Sequence, residues 1–252
     1  VSELILPNFL CIGAQKAGTT VLHDILKPHP DIYLAEHKEA PFFTREAHRA
    51  KGLTWWSKTF FRRYAGQKII GTLTPEYLFD PATPHAIYET FGPEIKLIGI
   101  LRHPVDRAYS HYLMSLSRGD ETLSFEEALS EEPSRLQGTE FDVETFSYLA
   151  RSRYSEQVER YVNLFPKENL LWLSYENDLS KQPEATIARV QEFLGVEVLP
   201  LNTKIQSNVA REVRSKRVLH ATRKGPIREI LRRILPEKVR ERIRRKIHDL
   251  NS

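Results

Sequence analysis

The chain is poor in the features that mark several large classes of protein. It has one cysteine in 252 residues, Cys11, so no disulfide forms within it. Cys11 lies in an apolar stretch, where an inert buried thiol is expected rather than a nucleophile. No window approaches the ~20 apolar residues that a membrane-spanning helix requires. The first residues include Glu3 and Pro7 and lack the charged start and apolar core of a signal peptide. Together these absences lead to the expectation of a reducing, cytoplasmic setting. The nine histidines are scattered, with no helical pairing and no cysteine partners, so no metal is expected. There is no internal repeat and no low-complexity segment. A strong excess of one charge is also missing: the formal net charge is +4 and the pI about 9.1. That balance suits an anionic ligand, and no nucleic-acid partner is expected. What remains is ordinary, 40% hydrophobic and 28% charged, and one domain over residues 1–252 is expected.

Strand-like and helix-like patterns alternate. Strands are predicted over Leu4 to Ala14, Asp31 to Leu34, Lys68 to Gly71, Ile95 to Leu101 and Leu170 to Ser174. Helices are predicted over Thr19 to Lys27, Trp55 to Tyr64, Thr83 to Phe91, Pro104 to Ser117, Ser147 to Phe165 and Pro183 to Leu194. Residues 119–146 read as polar and turn-rich around a short helix, Phe125 to Ser130. This alternation predicts an α/β fold, a P-loop-like three-layer sandwich with a central parallel sheet. The tail differs: from Arg223 to Lys246 it holds eleven Lys or Arg against three Glu. Residues 225–252 read as a basic amphipathic helical segment. A docked helix pair with a solvated basic face is preferred there to a membrane-surface or polyanion-binding helix.

The most informative stretch is Phe9-Leu10-Cys11-Ile12-Gly13-Ala14-Gln15-Lys16-Ala17-Gly18-Thr19-Thr20. An apolar strand ends in glycine, a short loop follows, and apolar residues then recur at helical spacing. Backbone N–H groups of such a loop, with the positive end of the helix dipole, form an anion site. Gly13 and Gly18 have the spacing of a Walker loop, but Thr19 stands where that motif needs lysine. The lysine is Lys16, within the loop. A Walker lysine reaches the β- and γ-phosphates and the next hydroxyl holds magnesium; a lysine nearer the middle of the loop suits a donor with a 5′-phosphate and one further transferable group.

Gln15-Lys16-Ala17-Gly18-Thr19-Thr20 resembles the 5′-phosphosulfate loop of sulfotransferases that use 3′-phosphoadenosine 5′-phosphosulfate. The resemblance continues through Lys38-Glu39-Ala40-Pro41-Phe42-Phe43. It extends to Leu101-Arg102-His103-Pro104-Val105-Asp106-Arg107-Ala108-Tyr109-Ser110-His111-Tyr112, which is similar to the family's 3′-phosphate segment. The pattern is nearest the bacterial and heparan sulfate types.

The resemblance implies a role for each matching residue. Lys16 would neutralise charge on the bridging oxygen as the S–O bond breaks. Gln15, Ala17, Gly18, Thr19 and Thr20 complete the 5′-phosphate loop, Thr19 also being a candidate helix cap. Glu39 is the expected base for the acceptor hydroxyl, with Glu36 and His37 as alternatives; relatives often have histidine where Pro41 stands. Arg102 and Ser110 would hold the ribose 3′-phosphate, and the bland reading of Arg102 is an ion pair with Asp106. Arg214, Ser215 and Lys216 loosely resemble a basic loop that closes over the nucleotide. Relatives often carry Glu-Lys-Thr-Pro where this chain has Thr72-Leu73-Thr74-Pro75, so the lysine implied near the sulfuryl group is Leu73 here.

The implied reaction moves a sulfuryl group from 3′-phosphoadenosine 5′-phosphosulfate to an acceptor hydroxyl, or less readily an amine, on a small molecule or glycan. The product is adenosine 3′,5′-bisphosphate, and no metal is needed. Trp55, Trp56, Tyr77 and residues 119–146 are expected to shape the acceptor pocket. Two rivals are a P-loop kinase of a nucleoside or small metabolite, which predicts magnesium dependence, and a polyanion-binding module that uses the tail.

Overall fold

A computed structural model describes residues 4–204. Arg214, Ser215, Lys216 and the basic tail, 225–252, lie outside the described residues. The described residues form two compact units, one of residues 4–104 with 153–204 and one of residues 105–152.

The first unit is built on five parallel strands: β1 (Phe9–Gly13), β2 (Ile32–Leu34), β3 (Ile69–Leu73), β4 (Lys96–Leu101) and β5 (Leu170–Ser174), in the order β2-β3-β1-β4-β5. Every residue of β1 and β3 is buried, as expected of strands covered on both faces. The crossover from β1 to β2 runs one way through α1 (Thr19–Leu26). Those from β2 to β3 and from β3 to β4 run the other way, through α2 (Glu46–Arg49) with α3 (Gly52–Phe60) and through α4 (Thr83–Phe91). Right-handed connections therefore put α1 on one face and α3 and α4 on the other, giving three layers. The expected fold class holds.

Because all strands are parallel, the loops that follow them share one edge. The loops after β1 and β4 leave in opposite directions across the sheet, so the switch point lies between these two neighbours, where ligands bind in open α/β sheets. The loop after β3 is drawn onto β1: Thr74 N–H donates to the Cys11 carbonyl (3.0 Å) and Leu78 N–H to that of Ile12 (2.8 Å).

The second unit holds α5 (Pro104–Arg118), whose first residue belongs to the first unit, then α6 (Phe125–Arg135) and α7 (Glu140–Phe146). Residues 119–146 are thus more helical than expected. Each of α6 and α7 begins in a reciprocal capping box, Ser124 with Glu127 and Thr139 with Asp142. Helix α6 runs past Ser130 and carries Pro133 inside it. The unit has its own apolar cluster, including Tyr112, Leu116, Phe146 and Tyr148. At its centre Glu121, nearly inaccessible, accepts from Arg135 (2.5 Å), from the Tyr148 hydroxyl (3.0 Å) and from the N–H groups of Thr122 and Leu123 (2.8 and 3.0 Å). Burial pushes the Glu121 carboxyl up, but these donors outweigh it and hold the group below its ordinary value.

The helix expected from Ser147 starts only at Tyr154. In its place Ser147 and Ser152 bind nearby groups: the Ser147 hydroxyl donates to the Val143 carbonyl (2.6 Å), Arg151 Nε donates to that hydroxyl (2.8 Å), and Arg107 Nε donates to the Ser152 hydroxyl (2.7 Å). In the first unit, α8 (Tyr154–Val162) turns Tyr161 inward, where its hydroxyl donates to the Tyr77 carbonyl (2.7 Å), and α9 (Pro183–Leu194) ends the described helices. No helix among the described residues is long and apolar enough to cross a membrane.

Candidate active site

The loop after β1 takes its shape from residues in the left-handed region. Lys16 has φ +68° and Gly18 φ +98°. For Lys16 this conformation is uncommon. For Gly18 it is required, and a Cβ there would lie 2.8 Å from the Tyr175 ring. Gly13 is equally constrained: with φ +150°, a Cβ would stand 2.8 Å from that of Leu78 and 2.9 Å from the Pro75 carbonyl oxygen. The loop closes on itself and on the sheet, Ala17 N–H donating to the Ala14 carbonyl (3.2 Å) and Ala14 N–H to that of Ile100 on β4 (2.7 Å).

Gly18 is the N-cap of α1 and carries no side-chain cap, so Thr19 opens the helix rather than capping it. The first-turn N–H groups of an α-helix have no partner within it. Here they lie beside a loop whose left-handed turns gather further N–H groups, an arrangement that binds anions. Burial pushes the Cys11 thiol in β1 up to about 12, so it stays protonated and inert.

Across the switch point, Arg102 follows β4. Its Nη1 donates to the Lys16 carbonyl (3.2 Å) and its guanidinium lies 5.1 Å from the centre of the Tyr175 ring. Tyr175 therefore touches both halves of the site. It opens the wide turn Tyr175–Ser180 after β5, where Glu176 Oε1 accepts from His103 N–H (2.9 Å). Neither Tyr175 nor Glu176 was expected from the sequence, since neither belongs to a motif. Their place directly after a predicted strand is the signal that marks them. Two buried atoms, Gln15 Oε1 and Arg102 Nε, have no hydrogen-bond partner among the described residues. An orphaned guanidinium donor next to an anion-binding loop fits an oxyanion ligand.

The segment after β2 carries Glu39 and is clamped by residues 72–77. Leu73 N–H donates to the Lys38 carbonyl (3.2 Å), Ala40 N–H to Thr74 Oγ1 (3.2 Å) and Phe42 N–H to the Tyr77 hydroxyl (3.0 Å). Tyr77 in turn donates to the Ala40 carbonyl (3.0 Å), as does Trp56 Nε1 (3.1 Å). Trp56 and Tyr77 have no exposed surface, and burial raises the Tyr77 phenol far above its usual range, so it stays neutral. Both are corrected from pocket-lining residues to supports of the Glu39 segment.

The Glu39 side chain is 47% exposed and its Oε1 lies 3.0 Å from Lys38 Nζ. Of the alternative bases, Glu36 is held by Arg62 at 3.0 Å and Arg63 at 3.7 Å. The Arg62 hydrogen bond lowers its pKa below the ordinary range, which suits an ion-paired carboxylate better than a base. His37 is exposed and its ring packs edge-on against Phe60.

Lys16, Glu39 and Arg102 all lie at the carboxyl edge of the first unit's sheet. Leu73 is fully buried at the end of β3, so no cation extends from that position. Ser110 is a buried residue of α5 in the second unit, where His111 packs against Tyr148 (ring centres 5.0 Å). No cluster of metal-ligating residues occurs among the described residues.

Residues 6–248 match the sulfotransferase domain family. Among curated proteins, the membrane-associated sulfotransferase kil1 of Dictyostelium discoideum is 27% identical, over 84% of this chain and 62% of its own. The heparan sulfate glucosamine 3-O-sulfotransferase 3B1 of Mus musculus is 33% identical, over 76% of this chain and 47% of its own. The chain thus spans about half to three-fifths of the length of these relatives. Among solved structures, a sulfotransferase from Alicyclobacillus acidocaldarius is 29% identical, with a TM-score of 0.67, covering 81% of this chain and 87% of its own.

Proposed function

The chain belongs to the sulfotransferase family, and from that premise we propose that it moves a sulfuryl group from 3′-phosphoadenosine 5′-phosphosulfate to an acceptor hydroxyl, leaving adenosine 3′,5′-bisphosphate. The observation that carries this reading is the join at the switch point, where the left-handed loop at Lys16 and Gly18 is tied by the Lys16 carbonyl to Arg102. Lys16 belongs to the first anion-binding loop, and Arg102, with a buried Nε that has no hydrogen-bond partner among the described residues, belongs to the segment across from it. A nucleotide with anionic groups at both its 5′ and 3′ positions matches that pair.

In the reaction the acceptor oxygen forms a bond to sulfur as the bond from sulfur to the bridging phosphate oxygen breaks. The electron pair stays on the bridging oxygen, where Lys16 and the N–H groups of the loop stabilise the growing charge. The acceptor's proton passes to Glu39. Sulfuryl transfer of this kind does not call for magnesium, in keeping with a loop that lacks the Lys-Ser/Thr pair of a Walker motif. The names of the heparan sulfate relatives support a glycan acceptor, and a small molecule fits the same chemistry.

Calorimetry separates this reading from the kinase. Adenosine 3′,5′-bisphosphate should bind without metal and ATP with magnesium should bind far more weakly; the reverse order would overturn the proposal. Radiolabelled donor with heparan oligosaccharides and with nitrophenol as acceptor probes then reports transfer. Lys16→Ala should lower its rate by ~10²–10³, the loss typical of removing one oxyanion donor, with the melting temperature little changed.

A further inference from the structure

We propose that Lys38 is the positioning residue of the base, holding the Glu39 carboxylate in its working orientation. The proposal rests on the reading of Glu39 as the base.

Lys38 Nζ lies 3.0 Å from Glu39 Oε1. Lys38 lies in the bend that follows β2, where the pair with its neighbour depends on the path of the backbone. The pair forms here because the backbone is held. The Lys38 carbonyl accepts from Leu73 N–H at 3.2 Å and from the Thr72 hydroxyl at 3.4 Å, and the next residues are held by Thr74 and Tyr77. Lys38 is therefore stitched to the carboxyl end of β3, beside the fully buried Leu73.

Its side chain is also the more covered of the pair, 21% exposed against 47% for Glu39. That asymmetry is unlike two long side chains meeting in open solvent, where pairs contribute little. With Oε1 held by Lys38, Oε2 is the oxygen presented to the acceptor hydroxyl.

The test uses the full chain, the same two acceptor probes and bisphosphate calorimetry. Lys38→Met should lower kcat by about 30-fold while the bisphosphate Kd changes less than about threefold. Lys38→Arg should recover most of the lost rate at an unchanged melting temperature. Combined with Glu39→Gln, Lys38→Met should cost no further rate, since the two residues act as one unit. If Lys38→Met keeps full kcat while Glu39→Gln is inactive, or if the two losses multiply, this proposal is overturned and the base assignment stands. A fully active Glu39→Gln overturns the base assignment and the proposal with it.

Discussion

In the first unit, residues 4–104 with 153–204, the groups of the candidate site are held by backbone: left-handed residues at Lys16 and Gly18, a helix start without a side-chain cap, carbonyls that receive Arg102 and Tyr77. In the second, residues 105–152, order comes from side-chain charge and hydroxyls. Glu121 gathers Arg135, Tyr148 and two backbone N–H groups, Glu132 accepts from the N–H groups of Leu149 and Ala150, and two helices start in capping boxes. The difference is instructive because the two methods fail differently. A backbone cradle keeps its donors whatever the pH, but tolerates no side chain at Gly13 or Gly18, where φ is positive and the space is already filled. A buried charge network tolerates change at its rim but loses its purpose when its central carboxylate is neutralised.

The largest expected effect tests the charged half of that contrast. Glu121→Ala leaves Arg135 without its partner and should destabilise the fold by about 3–5 kcal/mol, the cost of breaking a buried pair, read by denaturant or thermal unfolding. pH offers the same test without mutation. The Glu121 carboxyl titrates below its ordinary 4.5 in the folded chain, so the unfolded chain binds more protons as acid is added. The stability it contributes is complete above that ordinary value and is lost as pH falls through the lower folded one. Glu121→Gln should flatten that part of the acid limb; an unchanged acid limb would show that the network is not the unit's support.

Next in size is the backbone half. Gly18→Ala imposes a side chain at φ +98° against Tyr175. It should weaken bisphosphate binding by about 100-fold, equivalent to about 2.8 kcal/mol, and do so equally at pH 5 and pH 8 as measured by calorimetry. A loss confined to one pH would mean that titrating side chains, not backbone, hold the loop. The smallest effect is at a helix start: Ser124→Ala removes the hydroxyl that accepts from Glu127 N–H and should cost about 1 kcal/mol in unfolding midpoint, with no change in bisphosphate affinity.

The same contrast explains what was legible in the sequence. The first unit could be read because its signals are local and positional. An apolar run ending in Gly13, a second glycine at 18 and the almost wholly apolar β4 before Arg102 each mark an element and its place at the sheet edge. Its misreadings arose where tertiary packing decides. Trp56 and Tyr77, as aromatics near the predicted site, read as pocket lining, and only their bonds to the Ala40 carbonyl show that they support the Glu39 segment instead. Tyr175 was marked only by its place directly after a predicted strand, since nothing near it in the chain states that its ring will meet Gly18. In the second unit, residues 119–146 were read as turn-rich around one short helix because their helices are rich in charge and one carries Pro133; yet Ser124 with Glu127 and Thr139 with Asp142 are helix-start patterns that were there to be weighed. The late start of α8 was not legible, since Ser152 takes a partner 45 residues away, Arg107.

Tyr175 meets the phosphate loop at Gly18 on one side and the Arg102 guanidinium on the other. One uncharged ring therefore braces both halves of the candidate site at once, so a change of that side chain is felt at the loop and at the guanidinium together.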